Sequence, residues 1–339
     1  MYSFNKLPHY NDNRELVGLQ ILKFICSIFV VQIHTYSIMG KFLLPLCRIA
    51  VPIFFIISGY FMVSNKGTIS SGKLIKIAIK IIKITIIAYS SYILFDILIR
   101  LLINSNLEPY SRASYWMYEF LFKTPVGGHL WYLTSYLQTL LFMYVLMRIK
   151  KFHLLFLIIP MGIIINLLIG CYSFIFFEES NPLSLSRNAL TIAIPCVAIG
   201  VIIRIYEDYL PSQKIIFISL IASIIILYIE HIMIRHYIGD IIIMTLPVAI
   251  LTFVLFLRSN FVWNKCKYIG LLGKRHSMNI YLWHPMIATI YSYFPIYRHI
   301  NPGIQTIIVA IITLGISIIA SQISLPNKCV KFVRNIISN

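Results

Sequence analysis

Residues 16–38 read LVGLQILKFICSIFVVQIHTYSI, an apolar stretch interrupted by two ionisable side chains, Lys23 and His34. At 100° per residue, the eleven steps between them return to within about 20° of the starting direction and climb about 16 Å, so a helix presents both on one face. The stretch is long enough to cross about 30 Å of hydrocarbon. Ionisable groups inside such a span are costly against lipid and turn towards protein or a polar cavity, so this face is where a functional site is expected.

The rest of the chain repeats the apolar pattern. Its 339 residues are 59 % hydrophobic and only 12 % charged, with a mean hydropathy of +0.84, far from the balance of a soluble domain. Runs at 16–38, 46–64, 74–101, 128–149, 153–171, 188–205, 213–230, 239–257, 276–296 and 303–324 predict an all-α polytopic membrane bundle of about ten transmembrane helices. The first run is not a cleavable signal: a mixed-charge tail with Arg14 and Glu15 precedes it, and no small-residue cleavage site follows. The reading divides the chain into a tail (1–15), the bundle (16–325) and a basic tail (326–339).

A net charge of +18 raises the question of nucleic acid, and the placement of the cations answers it. With loops assigned alternately from a cytoplasmic N-terminus, Lys66, Lys73, Lys76, Lys80, Lys83, Arg148, Lys150, Lys151, Arg258, Lys265, Lys267, Lys274 and Arg275 fall on the inner side, joined by Lys328, Lys331 and Arg334. The outer side holds few. That asymmetry puts both termini in the cytoplasm. Nucleic-acid binding would need a basic water-facing domain, and the pattern leaves room for none. Cys26, Cys47, Cys171, Cys196, Cys266 and Cys329 lack paired metal-ligand spacing and read as small apolar packing residues.

This topology sorts the polar residues into two levels. Outer residues are His34, Arg48 before the second span, His129 opening the fourth, Arg187 opening the sixth, and Glu230 with His231 closing the seventh. Lys23, Ser58, Gly59 and Tyr60, the following lysine loop, and Tyr281 and His284 are read as inner. Arg48, Arg187 and His231 also fit a plain role as helix-end anchors, and His284 beside Pro285 fits a helix contact. His34 is a candidate general base, since imidazole titrates near physiological pH. Lys23 can either snorkel to the surface or offer its ammonium to a phosphate. The outer connection is rich in aromatics, with Tyr110, Tyr115, Trp116, Tyr118, Phe120 and Phe122 ahead of Gly127-Gly128-His129-Leu130-Trp131. An interfacial belt accounts for such residues, and so does a platform on which a sugar stacks. Gly127-Gly128 is expected to allow a tight turn before His129.

These motifs resemble the acyltransferase-3 family of integral membrane acyltransferases. Lys23-X10-His34 is similar to its basic-X10-His signature, in which arginine is the commoner base. Val51-Pro52-Ile53-Phe54-Phe55-Ile56-Ile57-Ser58-Gly59-Tyr60 resembles its second-span element, and His129-Leu130-Trp131-Tyr132 its fourth. Arg187-Asn188, followed by Ile194-Pro195 and Gly200, and Leu272-Gly273 with Ile280-Tyr281-Leu282-Trp283-His284-Pro285, are similar to its later spans. The resemblance implies a multi-pass protein of a bacterial cytoplasmic membrane. It would move an acyl group, acetyl in the usual case, from cytoplasmic acyl-CoA to a hydroxyl of a cell-surface carbohydrate or its lipid-linked precursor. Acyl-CoA is then a donor substrate, with no permanently bound cofactor and no metal.

On that basis His34, Arg48 and His129 are the expected catalytic residues, His34 as base and the other two for the oxyanion. Lys23, Ser58, Tyr60, Lys66 and Lys73 are the expected contacts to the donor, and Trp131, Arg187 and Glu230 those to the acceptor. Lysine at position 23 offers a point charge where arginine would offer a bidentate fork. The short basic tail implies no appended extracytoplasmic esterase-like domain. The membrane half of vancomycin-resistance serine racemases is similar to the same family, so a transporter of serine or a like small molecule is the alternative.

Overall fold

The computed structural model describes residues 2–3, 16–35, 38–64, 67–102, 128–178, 183–234, 241–259, 263–294 and 300–322. Its main helices are α1 (Val17–His34), α2 (Ile38–Cys47), α3 (Ala50–Met62), α4 (Ser71–Leu102), α5 (Trp131–Arg148), α6 (Leu155–Ile169), α7 (Ile194–Ile205), α8 (Gln213–Met233), α9 (Thr245–Arg258), α10 (Lys267–Ser292) and α11 (Pro302–Gln322). Lys66, the aromatic residues of 103–127 and the C-terminal tail lie outside the described residues.

Among the described residues, seven segments are long and apolar enough to span a membrane: Val17–His34, Phe42–Met62, Ser71–Leu102, Gly128–Arg148, Phe152–Ile169, Gln213–Met233 and Gly303–Gln322. The segments Ala189–Ile205 and Thr245–Arg258 are apolar but shorter. The protein is therefore a helical, multi-pass membrane protein. Its outward faces fit lipid, since Phe156, Leu157 and Ile164 on α6 and Ile218, Ile225 and Ile229 on α8 are exposed and apolar.

Small residues let the central helices approach backbone to backbone. A Cβ on Gly273 of α10 would sit 1.9 Å from the Gln20 carbonyl oxygen of α1, and one on Gly18 of α1 would meet the Phe256 carbonyl oxygen of α9 at 2.3 Å. Gly59 of α3 and Gly200 of α7 pack reciprocally, each within 2.0 Å of the other helix's carbonyl oxygen if it carried a Cβ. Such contacts replace the hydrophobic drive that helices in lipid lack. Phe55 and Tyr60 on α3, Leu19 and Leu22 on α1, Leu133 on α5 and Phe253 on α9 fill the space between them.

Several elements differ in detail from the hydropathy reading. α1 ends at His34 instead of running to 38; at its end the Thr35 hydroxyl bonds back to the Val31 carbonyl and meets the Thr306 hydroxyl at 2.5 Å. The second span is broken at Arg48–Ile49 into α2 and α3. The sixth opens on a single π turn, Ala189–Ala193, whose first amides at Leu190 and Thr191 bond the Asn188 side chain. α10 begins at Lys267, nine residues before the apolar run at 276, because Lys267, Lys274 and Arg275 hide its first turns from a hydropathy reading. A short antiparallel pairing of Tyr2–Ser3 with Thr68–Ile69 is the only strand pairing among the described residues. It ties the chain start to the turn after α3, at the end of the bundle nearest Lys23.

Candidate active site

His34, His129 and His284 arrive from three helices and pack ring against ring. The His34 ring centroid lies 5.1 Å from that of His284 and 6.1 Å from that of His129, and His129 lies 5.5 Å from His284. His129 and His284 are buried, at 5 % and 0 % exposure, whereas His34 is exposed. Arg48 and Arg187 lie close enough for their charges to act on His34. Five polar residues thus meet at one end of the bundle. Four of them are expected from the sequence.

The fifth, His284, is a correction. The extra nine residues at the start of α10 amount to about 13 Å of rise, which moves His284 from the inner level, where the sequence reading put it, to the level of His34. A proline explains how it is held. Pro285 has no amide hydrogen, so the Tyr281 carbonyl, four residues back, loses its helical partner. The Nδ1 of His284 lies 2.9 Å from that oxygen and 2.9 Å from the Ile280 carbonyl oxygen. Carbonyls only accept, so Nδ1 carries the hydrogen. In the neutral ring Nε2 then holds a lone pair, and this buried atom has no hydrogen-bond partner among the described residues. Leaving such an acceptor unpaired costs about 1–3 kcal/mol.

His129 is fixed by the same helix. It sits in the turn Gly128–Leu130 ahead of α5, where its Nε2 donates to the Leu282 carbonyl at 3.2 Å. The Tyr92 hydroxyl of α4 donates to that carbonyl as well, at 2.8 Å, and the Tyr281 hydroxyl donates to the His129 carbonyl. α4, α5 and α10 are thereby tied together around the cluster. Open space surrounds a Cβ built at Gly128, so Gly128 itself is not required for the turn; Gly127 lies outside the described residues. Trp131 follows at the head of α5, with its ring 6.3 Å from Phe55.

At the opposite end of α1, lysines gather. The Lys23 amine lies over the Phe61 ring at 5.4 Å, and the charges of Lys80 on α4 and Lys274 on α10 act on it. Lys73 donates to the Phe61 carbonyl at 2.7 Å and feels the charge of Arg204. Glu207 is already engaged at this end: Arg204 bonds its carboxylate at 2.5 Å and the Tyr60 hydroxyl donates to it at 2.6 Å.

The Ser58-Gly59-Tyr60 element does three separate jobs. Tyr60 closes the buried knot with Arg204 and Glu207, and Gly59 admits the α7 backbone. Ser58, one turn of α3 before Phe61, donates to the Phe54 carbonyl at 2.8 Å and shares hydrogen bonds with Tyr132 and Tyr136. Tyr281 stacks edge-on to Tyr132 at 5.4 Å, so a band of hydroxyls joins the lysine end to the histidine end.

Glu230 serves another part of the molecule. Its carboxylate accepts the amides of Ile243 and Met244 at 2.8 and 2.9 Å, just ahead of α9, and the Tyr172 hydroxyl. Burial, with the Glu230 carboxylate beside it, pushes the Tyr172 hydroxyl pKa up and keeps it a donor. Among the described residues, no group of three or more histidines, cysteines or carboxylates is arranged to hold a metal ion.

A family model described as an acyltransferase domain matches residues 16–322 of the chain. No curated protein and no solved structure matches it.

Proposed function

The chain belongs to the acyltransferase-3 family, and from that premise we propose that it is an O-acetyltransferase of a bacterial cytoplasmic membrane, carrying acetyl from cytoplasmic acetyl-CoA to a hydroxyl of an envelope carbohydrate. In this reading the helices make ten crossings with both termini inside, which follows the excess of lysine and arginine in the inner loops. The observation that carries it is the division of labour along α1. Lys23 stands among lysines at one end, and His34 stands beside two arginines and two histidines about 16 Å away.

The donor's phosphates would lie against Lys23, Lys73, Lys80 and Lys274. Its pantetheine arm would run past Ser58, Tyr132 and Tyr136, whose hydroxyls can bond the amides of that arm. The thioester then comes to His34. The imidazole takes the proton from the acceptor hydroxyl as its oxygen attacks the thioester carbonyl. Charge develops on the carbonyl oxygen, and the guanidinium groups of Arg48 and Arg187 would stabilise it. His129, whose Nε2–H is spent on Leu282, orders this end instead of donating to the oxyanion through that atom. Collapse breaks the carbon–sulfur bond, and the thiolate of CoA takes up the proton from His34.

Membranes containing the protein are expected to transfer label from acetyl-CoA to a base-labile position on envelope glycan. His34→Ala should lower transfer at least 10²-fold at unchanged membrane abundance. Transfer that persists in His34→Ala removes the base assignment. Uptake of labelled serine by intact cells, with no acetyl transfer, would replace the enzyme by the transporter.

A further inference from the structure

Building on the acyl-transfer reading, we infer that His284 is a positioning residue for His34: its Nε2 accepts the hydrogen bond that sets the tautomer and orientation of the base. Three observations carry this. His284 Nδ1 is pinned by the Ile280 and Tyr281 carbonyls, which leaves Nε2 as the acceptor. That atom is fully buried and has no partner among the described residues, in a protein interior where polar atoms are nearly always paired. The His34 ring stands 5.1 Å away centroid to centroid and tilted by 52°, a separation at which two imidazole nitrogens turned towards each other come within about 3 Å.

An imidazole that acts as a base needs one nitrogen free and the other held. His129 cannot hold it through Nε2, which already faces the Leu282 carbonyl. With His34 N–H bonded to His284, the remaining His34 nitrogen presents its lone pair to the acceptor hydroxyl. When that nitrogen takes the proton, the N–H···Nε2 bond becomes charge-assisted and spreads the new positive charge away from Arg48 and Arg187. No carboxylate is required. His284 exchanges no atoms with the substrates.

Two isosteres separate this role from packing. In His284→Asn the side-chain amide can still reach the Ile280 and Tyr281 carbonyls, but nothing occupies the Nε2 position. In His284→Gln the carboxamide oxygen extends to that position and can accept. For acetyl transfer by membranes, corrected for the amount of folded protein, Asn should lower kcat about 10²-fold with KM for acetyl-CoA within a factor of three, and Gln should lose less than tenfold. If Asn accumulates poorly, His284→Ser, which can bond the same carbonyls from its hydroxyl, takes its place.

Full activity in the Asn or Ser variant overturns the inference, as does a raised KM at unchanged kcat, or equal loss with Asn and Gln. His34→Ala is measured alongside. Transfer surviving there overturns this inference together with the base assignment, whereas transfer lost there and retained in His284→Asn overturns this inference alone.

Discussion

The two ends of the bundle are built on opposite principles. At the histidine end, positions are fixed by backbone: two carbonyls hold His284, one holds His129, the Tyr281 hydroxyl braces the His129 carbonyl and the Tyr92 hydroxyl the Leu282 carbonyl. At the lysine end, flexible amines from α1, α4 and α10 share one region, with aromatic and carbonyl contacts at Phe61 and a carboxylate that Arg204 already occupies. Rigid, directional groups suit bond making, where misplacement of an ångström is costly. Mobile point charges suit a polyphosphate that must enter and leave. The difference predicts that substitutions at the first end change kcat and those at the second change KM.

The largest effect expected from this contrast is at the arginines. Arg48→Ala or Arg187→Ala should lower kcat by about 10²–10³-fold, the usual consequence of losing one oxyanion donor, with little change in KM for acetyl-CoA. Lysine at either position keeps the charge without the planar fork and should recover part of the loss. Steady-state kinetics on solubilised protein checks this. A rise in KM alone would assign the arginines to binding and erase the contrast.

The next largest effect tests what holds the two ends in register. α1 and α10 run side by side in the same direction, with Gly273 against the Gln20 carbonyl and His284 against His34. Gly273→Ala would place a Cβ 1.9 Å from a carbonyl oxygen that belongs to backbone and cannot rotate away. Overpacking of this kind costs about 1–3 kcal/mol. Thermal unfolding in detergent should show a lowered midpoint, and kcat should fall as His284 shifts from His34. Unchanged stability would mean that the helices separate without penalty and that their contact does not set the site.

Much of this was legible in the sequence, and what was not has identifiable causes. The helical class and the shared face of Lys23 and His34 follow from hydropathy and the 3.6-residue repeat, which act within one segment. The resemblance was equally local, and the family match over 16–322 agrees with it. His284 was misplaced because charged residues in the first turns of α10 hide where that helix begins. The roles of Ser58, Gly59 and Tyr60 were illegible because their partners, Tyr132, Val197, Arg204 and Glu207, lie 74 to 147 positions away in the chain. A three-residue motif cannot reveal that its members face two different helices, α5 and α7.

The smallest effect is at Lys23. Its amine shares one region with Lys80 and Lys274, so no single cation there is decisive for a phosphate. Lys23→Gln is therefore expected to raise KM for acetyl-CoA only about three- to tenfold and leave kcat within a factor of two, in line with the ~1 kcal/mol scale of one partly solvated charge. The wild-type KM should rise with ionic strength, and more weakly so in the variant, because screening removes what the substitution has already removed. Lys23→Arg should match the wild type or improve on it, since arginine adds a bidentate grip on phosphate. A fall in kcat at constant KM would instead tie Lys23 to the chemistry about 16 Å away, and the two ends could no longer be treated as separate sites joined by one helix.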